Sequence, residues 1–273
     1  STTTKRLRGR DIIISTIRSK SKVVKGNLPC PFDGCNSSDA YFLYDDGHGH
    51  CYSCNQTKFP NDYKTEDMST FTYEYIPLRG IEKEAFVKYG VKAKIDAEGK
   101  PTALGFGYPN GSFKVRDLKE KNFHWTGPDH VPGLFGKDKF SEGEHKYVII
   151  TEGELDALSL WQVLKVPVLS VQSASSALSD VAADRKYLAS FERIYLAFDA
   201  DGPGQDAVAK VARAFDFNKV YHIKFTKYKD ANEYLKKGED FELRQIYNNA
   251  RRYQPSSIVS HLDDFKKILY EED

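Results

Sequence analysis

Two groups of side chains in this sequence have the types and spacing to do chemistry. The first is Cys30, Cys35, Cys51 and Cys54, which are all the cysteines of the chain. Cys30-x4-Cys35 and Cys51-x2-Cys54 form two close pairs separated by a hairpin's length, an arrangement that suits a tetrahedral Zn2+ held by one knuckle at each end. Cysteines gathered in one short stretch, with no secretory signal before them, point to a reducing compartment and a metal, not to a disulfide framework. Four sulfurs close the coordination shell, so this ion is read as structural. His48 and His50 are therefore not taken as ligands. With Tyr52 and Asn55 they crowd the knuckle and suit contact with bases; an ordinary polar turn is the competing reading.

The second group is acidic. Glu152 follows the apolar run 147–151, Asp199-Ala200-Asp201 follows the run 194–198, and Asp230 follows the run 220–225. In an open parallel sheet, ligands gather at the carboxyl ends of the strands. Asp199 and Asp201, two apart on extended chain, share a side, and Glu152 at the end of another strand can face them. Three carboxylates in one crevice repel one another unless hard cations neutralise them, and Mg2+, one ion or two, is the natural occupant. Acids after strands also serve as helix caps, and Asp156 taken alone is equally well read that way. A Glu at one strand end with Asp-x-Asp at another fits capping poorly.

The elements that must position these groups can be read from the pattern. From 147 onward, strands at 147–151, 168–171, 194–198 and 220–225 alternate with helices near 154–165, 179–190, 204–215 and 231–237. Such alternation implies a mainly parallel sheet covered on both faces. Before it, a helix over 82–89 and strands at 91–95, 103–108 and 113–118 give a mixed α/β subdomain. The expected organisation is a basic arm (1–25), a zinc ribbon of antiparallel strands (26–59), a flexible linker (60–72), the mixed subdomain (73–146), a catalytic α/β subdomain (147–254) and a tail or connector (255–273).

The chain has 273 residues, 40% of them hydrophobic, and a net charge of +1. That excludes a mostly disordered protein and a uniformly basic coat protein. No apolar run approaches the ~20 residues a bilayer needs, so no membrane partner is expected. The near-neutral total hides a strongly basic start, in which Lys5, Arg6, Arg8 and Arg10 are candidates to grip DNA or a replication partner.

Thr151-Glu152-Gly153-Glu154-Leu155-Asp156-Ala157 and Phe198-Asp199-Ala200-Asp201-Gly202-Pro203-Gly204 resemble the TOPRIM domain of primases and topoisomerases. Lys229-Asp230-Ala231-Asn232-Glu233, Lys114-Val115-Arg116-Asp117, Lys121-Asn122-Phe123 and Leu134-Phe135-Gly136-Lys137 narrow the resemblance to the primase half of T7-type phage primase-helicases. Asp46-Gly47-His48, before the second cysteine pair, resembles that family's template-reading segment. Two departures stand out: four residues in the first knuckle where the phage relative has two, and an extra residue between Lys114 and Lys121. No Gly-x4-Gly-Lys-Ser/Thr helicase loop occurs in the sequence.

The resemblance implies a DNA primase making short RNA primers on single-stranded DNA from ribonucleoside triphosphates. A zinc module would read the start site, a replicative helicase would be fused or separate, and a DNA polymerase would receive the primer. It implies Mg2+ on Glu152, Asp199, Asp201, Asp156 and Asp230, and phosphate or template contacts from Lys114, Arg116 and Lys121. His48 and Asp46 would contact DNA, and the expected location is the cytoplasm, that of the bacterial host for a phage protein. Alternatives of other classes are an inactive single-strand-binding module of a helicase and a TOPRIM nuclease.

Overall fold

The computed structural model describes residues 22–45, 47–58, 67–120, 122–128 and 130–255. The expected contacts from Asp46, Lys121 and the basic side chains Lys5, Arg6, Arg8 and Arg10, and the tail beyond 255, lie outside the described residues. The chain divides into two compact units.

The first unit takes the chain up to Thr72, then Lys92–Gly105 and Asn110–Val131. Its zinc-ribbon part is a four-stranded antiparallel sheet of β1 (Val23–Leu28), β2 (Tyr41–Tyr44), β3 (Gly49–Cys51) and β4 (Thr57–Lys58) in sequence order. β1 begins inside the stretch expected to be the basic arm, because Val23 pairs with Tyr44. Alternation along β2 sends Tyr41 over β3, where a Cβ on Gly49 would stand 1.9 Å from the tyrosine hydroxyl, so a side chain there would displace the ring.

The second sheet of this unit orders β5 (Lys92–Ile95), β6 (Pro101–Gly107), β7 (Phe113–Asp117) and β8 (Phe123–Thr126). Met68, Phe71 and Phe113 pack with Ala103 and Val115 on this sheet, and Thr72 is bridged to Ala93. The linker expected over 60–72 is therefore shorter than that: burial of Phe71, with Met68 partly buried beside it, fixes 67–72 as part of the sheet's cover. The ribbon itself is tied on at Thr57, whose N–H donates to the His130 carbonyl at 3.2 Å.

The second unit comprises Tyr73–Val91, Phe106–Pro109 and the chain from Pro132 on. Its sheet orders β10 (Val168–Ser170), β9 (Tyr147–Thr151), β11 (Arg193–Ala197), β12 (Val220–His222) and β13 (Arg251–Arg252). The first four are parallel and β13 is an antiparallel edge. Val148, Ile149 and Ile150 are completely buried, as expected of a parallel strand between helices. The helices are α1 (Lys83–Tyr89), α2 (Glu154–Leu164), α3 (Ala177–Ala183), α4 (Arg185–Ala189), α5 (Gly202–Ala212), α6 (Ala231–Lys236) and α7 (Asp240–Asn248).

Three local expectations change. The helix expected over 179–190 is broken into α3 and α4 at Asp184, whose carboxylate takes the Leu134 N–H at 2.8 Å and pairs with Lys137. The strand expected over 220–225 ends at His222. The boundary at 146/147 does not separate packing units either. Tyr89 of α1 is buried against Phe135, Phe140 and Trp161, and its hydroxyl donates to the Val168 carbonyl at 2.7 Å. An aromatic side chain of that size, with its hydroxyl satisfied, binds α1 and 132–146 into the core of this unit.

Candidate functional site

The four cysteines converge because each pair sits on a tight turn beside the β2–β3 hairpin. Cys30 Sγ and Cys54 Sγ lie 3.7 Å apart, Cys35 Sγ and Cys51 Sγ 3.8 Å, and all four sulfurs are within 4.8 Å of one another. Four sulfurs ~2.3 Å from a central ion at tetrahedral angles are about 3.8 Å apart. The cluster thus has the dimensions of a tetrahedral zinc site, and no disulfide competes for it. The backbone N–H groups of Phe32, Ser37 and Gln56, each two residues past a cysteine, donate to Cys30, Cys35 and Cys54. The Ser37 contact holds the Cys35 thiol down to about 7, whereas burial outweighs the donors at Cys30, pushed up to about 11, and at Cys54, also raised. Donors of this kind stabilise thiolates and orient them on a metal.

Beside the sulfurs, the face of β2 and β3 is aromatic. His48 stacks on Tyr44 with ring centroids 4.2 Å apart, and the Tyr44 and Tyr52 hydroxyls are 2.6 Å apart. Tyr52 meets Phe42 and His50 edge-on at 5.3 and 4.6 Å, while His50 Nδ1 is 2.8 Å from the Thr57 hydroxyl. The histidines are held by rings and a hydroxyl, and neither belongs to the sulfur cluster. Tyr52 remains 63% exposed, which leaves a π-face open to solvent of the sort on which bases stack.

In the β5–β8 sheet, Lys114 and Arg116 are two apart on β7 and share a face. Both lie over the ring of Phe123 on β8, with Lys114 Nζ 4.7 Å and the Arg116 guanidinium carbon 5.3 Å from its centroid. Sequence spacing assigns no role to Phe123. Register explains its place, since Arg116 pairs with Phe123 and Lys114 with Trp125 across the strands, and the Phe123 ring orients both cations, of which Lys114 is buried.

The carboxylates assemble at the carboxyl ends of β9 and β11, which are parallel neighbours in register from Arg193↔Tyr147 to Ala197↔Thr151. Glu152 follows β9 immediately. Its Oε2 is buried and meets no hydrogen-bond partner. Burial first, then the charges of Asp199 and Asp201, push its carboxyl up to about 7, while the Asp199 backbone N–H donates to it. Asp199 is raised by burial as well, against the pull of Lys229. Asp201 caps α5, its Oδ1 accepting the Gly204 N–H at 3.0 Å; Lys229 and that cap hold its carboxyl below the ordinary range.

Gly204 is required by this packing. A Cβ on it would stand 2.3 Å from the Asp199 carbonyl oxygen and 2.9 Å from Glu152 Oε2. The sequence pattern assigns no role to Lys229. Its Nζ lies 3.0 Å from Asp199 Oδ2 and 2.8 Å from Asp201 Oδ2, so it bridges the two.

Asp156 and Asp230 sit beside this trio with other partners. Asp230 does not end a strand: β12 stops at His222, and Asp230 comes after an intervening loop as the N-cap of α6, accepting the Glu233 N–H at 2.8 Å. Asp156, on the first turn of α2, accepts the Asn232 N–H at 2.9 Å. Burial, then the charges of Asp230 and Asp199, raise it well above the usual carboxylate range. Asn232 is itself buried and donates to Ser159 Oγ at 2.9 Å and the Arg79 carbonyl at 3.2 Å. This network locks α6 to α2 and so fixes the loop that carries Lys229. Spacing could not show it, because Arg79 lies far upstream.

The arrangement offers three carboxylates that share one crevice, and one of them keeps a buried oxygen, Glu152 Oε2, without a hydrogen-bond partner. That is the donor set a hard divalent cation requires.

A parallel sheet carrying these acids at adjoining strand ends defines the TOPRIM class, and residues 149–235 match the family model described as Toprim-like. The chain is 34% identical over 287 residues to the DNA helicase/primase of Enterobacteria phage T3, covering 94% of this chain and 50% of that protein. It therefore spans about half the length of that relative. Among solved structures it resembles the primase fragment of the bacteriophage T7 primase-helicase, with a TM-score of 0.60 and 32% identity over 82% of this chain and 100% of that one. It also resembles a structure of the T7 lagging-strand DNA polymerase interacting with primase domains bound to an RNA/DNA hybrid and dTTP, with a TM-score of 0.57, 33% identity, and coverage of 84% and 99%. The chain belongs to the T7-type phage primase-helicase family, on the side of its primase half.

Proposed function

We propose that this chain is a DNA primase that joins ribonucleoside triphosphates into short RNA primers on single-stranded DNA. The observation that carries the reading is the convergence of Glu152, Asp199 and Asp201 at adjoining parallel strand ends, in a chain that aligns with the whole T7 primase fragment. The in-line displacement joins a 3'-oxygen to the α-phosphorus of the incoming nucleotide and expels pyrophosphate.

Glu152, Asp199 and Asp201 would hold Mg2+, with Asp156 and Asp230 shaping the field around them. Bound there, one or two Mg2+ ions supply Lewis acidity toward the attacking hydroxyl and charge neutralisation toward the leaving pyrophosphate. The carboxylates act ionised, so synthesis falls as pH drops. Lys114, Arg116 and Lys121 clamp phosphates or template. Cys30, Cys35, Cys51 and Cys54 hold Zn2+, and His48, Asp46 and the aromatic face around Tyr52 contact template bases. A replicative helicase and a primer-accepting DNA polymerase are the proposed partners; the T7 polymerase structure with primase domains supports the latter.

The test is incorporation of labelled ribonucleotides on random-sequence single-stranded DNA, with and without Mg2+. The wild type is expected to make Mg2+-dependent oligoribonucleotides. Asp199→Asn and Asp201→Asn are expected to make none while keeping fold and zinc. Retained synthesis by both variants sinks the assignment. DNA binding without synthesis indicates a binding module, and Mg2+-dependent cleavage of the template indicates a nuclease.

A further inference from the structure

The side chain of Lys229 has no part in the reading above, yet it is placed with care. Its carbonyl oxygen accepts the Ala200 N–H at 2.8 Å, which pins its backbone against the Asp199-Ala200-Asp201 turn. From that fixed base the ammonium reaches Asp199 Oδ2 and Asp201 Oδ2 together. The side chain is 54% exposed, and a four-carbon stem in solvent is free to swing.

The Asp199 and Asp201 oxygens also have assigned orientations. Asp201 spends Oδ1 on the α5 cap and presents Oδ2 to the crevice. A small hard cation ligating both Oδ2 atoms at ~2.1 Å would lie where the ammonium now sits between them. The two cations exclude each other. Glu152 Oε2, which the lysine leaves unpartnered, is the third donor a metal would gain and an ammonium does not use.

We propose that Lys229 is a displaceable counter-ion: it occupies the Asp199–Asp201 pair until a divalent cation evicts it, and it then pairs with the triphosphate of the incoming nucleotide. The inference rests on the metal-dependent reading given above. Lys229 is a substrate-binding residue in this scheme once the metal has displaced it. It keeps two neighbouring carboxylates from repelling each other, limits metal uptake in the absence of nucleotide, and rewards simultaneous arrival of metal and triphosphate. The device follows from electrostatics: eviction costs two ion pairs, and a polyanion nearby returns a partner to the freed ammonium.

The experiment uses the full chain with its zinc retained and Mn2+ as the probe. Free Mn2+ is measured by electron paramagnetic resonance at low ionic strength, for the wild type, Lys229→Met and Lys229→Arg. The Met variant is expected to bind Mn2+ about tenfold more tightly without nucleotide, the order expected for relief of two partly exposed ion pairs. Its KM for ribonucleotide is expected to rise about tenfold. The Arg variant, which keeps a cation on the same backbone, is expected to stay close to the wild type in Mn2+ affinity. A lysine needed only for folding would weaken both functions together, so opposite signs are the signature. Unchanged Mn2+ affinity in Lys229→Met, or an unchanged KM, overturns the proposal even if primers are made. A wild type that binds Mn2+ no better than Asp199→Asn removes the metal-site reading and this inference with it.

Discussion

Replacing Glu152 by Gln should make the metal-free protein more stable while destroying its activity. Burial and two neighbouring carboxylates lift Glu152 from an ordinary 4.5 to about 7. An acid whose folded pKa lies above its unfolded value contributes stability that is complete below the unfolded value. That stability is lost as pH rises through the folded one. The window is thus pH 4.5 to about 7, and at pH 8 the ionised side chain is a net liability. Taken without screening, the gap corresponds to ~3 kcal/mol; for a partly exposed carboxylate, solvent screening reduces this to ~1–2 kcal/mol. Gln keeps the shape and the acceptor for the Asp199 N–H but carries no charge. For a protein of this size ~1 kcal/mol moves Tm by ~2–4 °C, so Glu152→Gln should melt roughly 2–8 °C higher at about pH 8 in Mg2+-free buffer with zinc retained. Near pH 4.5 the advantage should vanish, because the wild-type carboxyl is then protonated in the fold. Saturating Mg2+ should raise the wild-type Tm and leave the variant's unchanged. Calorimetric melts over this pH range make the measurement. A variant no more stable at pH 8, or more stable by the same amount at pH 4.5, would refute the reasoning.

Other perturbations separate the roles of neighbouring residues. Cys51→Ser should release zinc in a colorimetric assay and abolish template-dependent initiation before it abolishes extension of a supplied dinucleotide; simultaneous loss of both would mean the ribbon only clamps the fold. Gly204→Ala forces a Cβ against the Asp199 carbonyl and should cost ~1–3 kcal/mol in denaturant titration, with primer synthesis lost. Asp230→Ala should cost ~1 kcal/mol through the lost α6 cap, whereas Asp230→Asn keeps the cap and should melt near the wild type. If Asp230 shapes the metal field, the Asn variant still loses synthesis at low Mg2+, and unchanged synthesis would reduce Asp230 to a cap.

Much of the site was legible in the sequence because its positions are set by local geometry. The two cysteine knuckles and the acids at strand ends are each placed by a few neighbouring residues and by the period of the strands that precede them. The short strand β8, the helix α7 and the edge strand β13 were not legible. β8 and β13 are only four and two residues long and α7 buries only Leu243, and they are held by pairing and packing against distant partners, as Arg251 is by His222. The linker was overestimated for a related reason: Met68 and Phe71 sit in a polar stretch, and two isolated apolar residues reveal their burial only when the sheet beneath them exists.

The sequence by itself determined the architecture and the donor sets: four sulfurs in paired spacing, a mainly parallel α/β sheet, and Glu152 with Asp199-x-Asp201 at its strand ends. These follow from spacing and periodicity, which are properties of neighbouring residues. Tertiary structure alone decided how those groups are charged and what they touch. It left Glu152 Oε2 buried and unpartnered, made Asp201 and Asp230 helix caps, tied Asp156 through Asn232 to Arg79, and laid Lys229 across two carboxylates. Burial and long-range electrostatics depend on what arrives from elsewhere in the chain, and no local pattern encodes them.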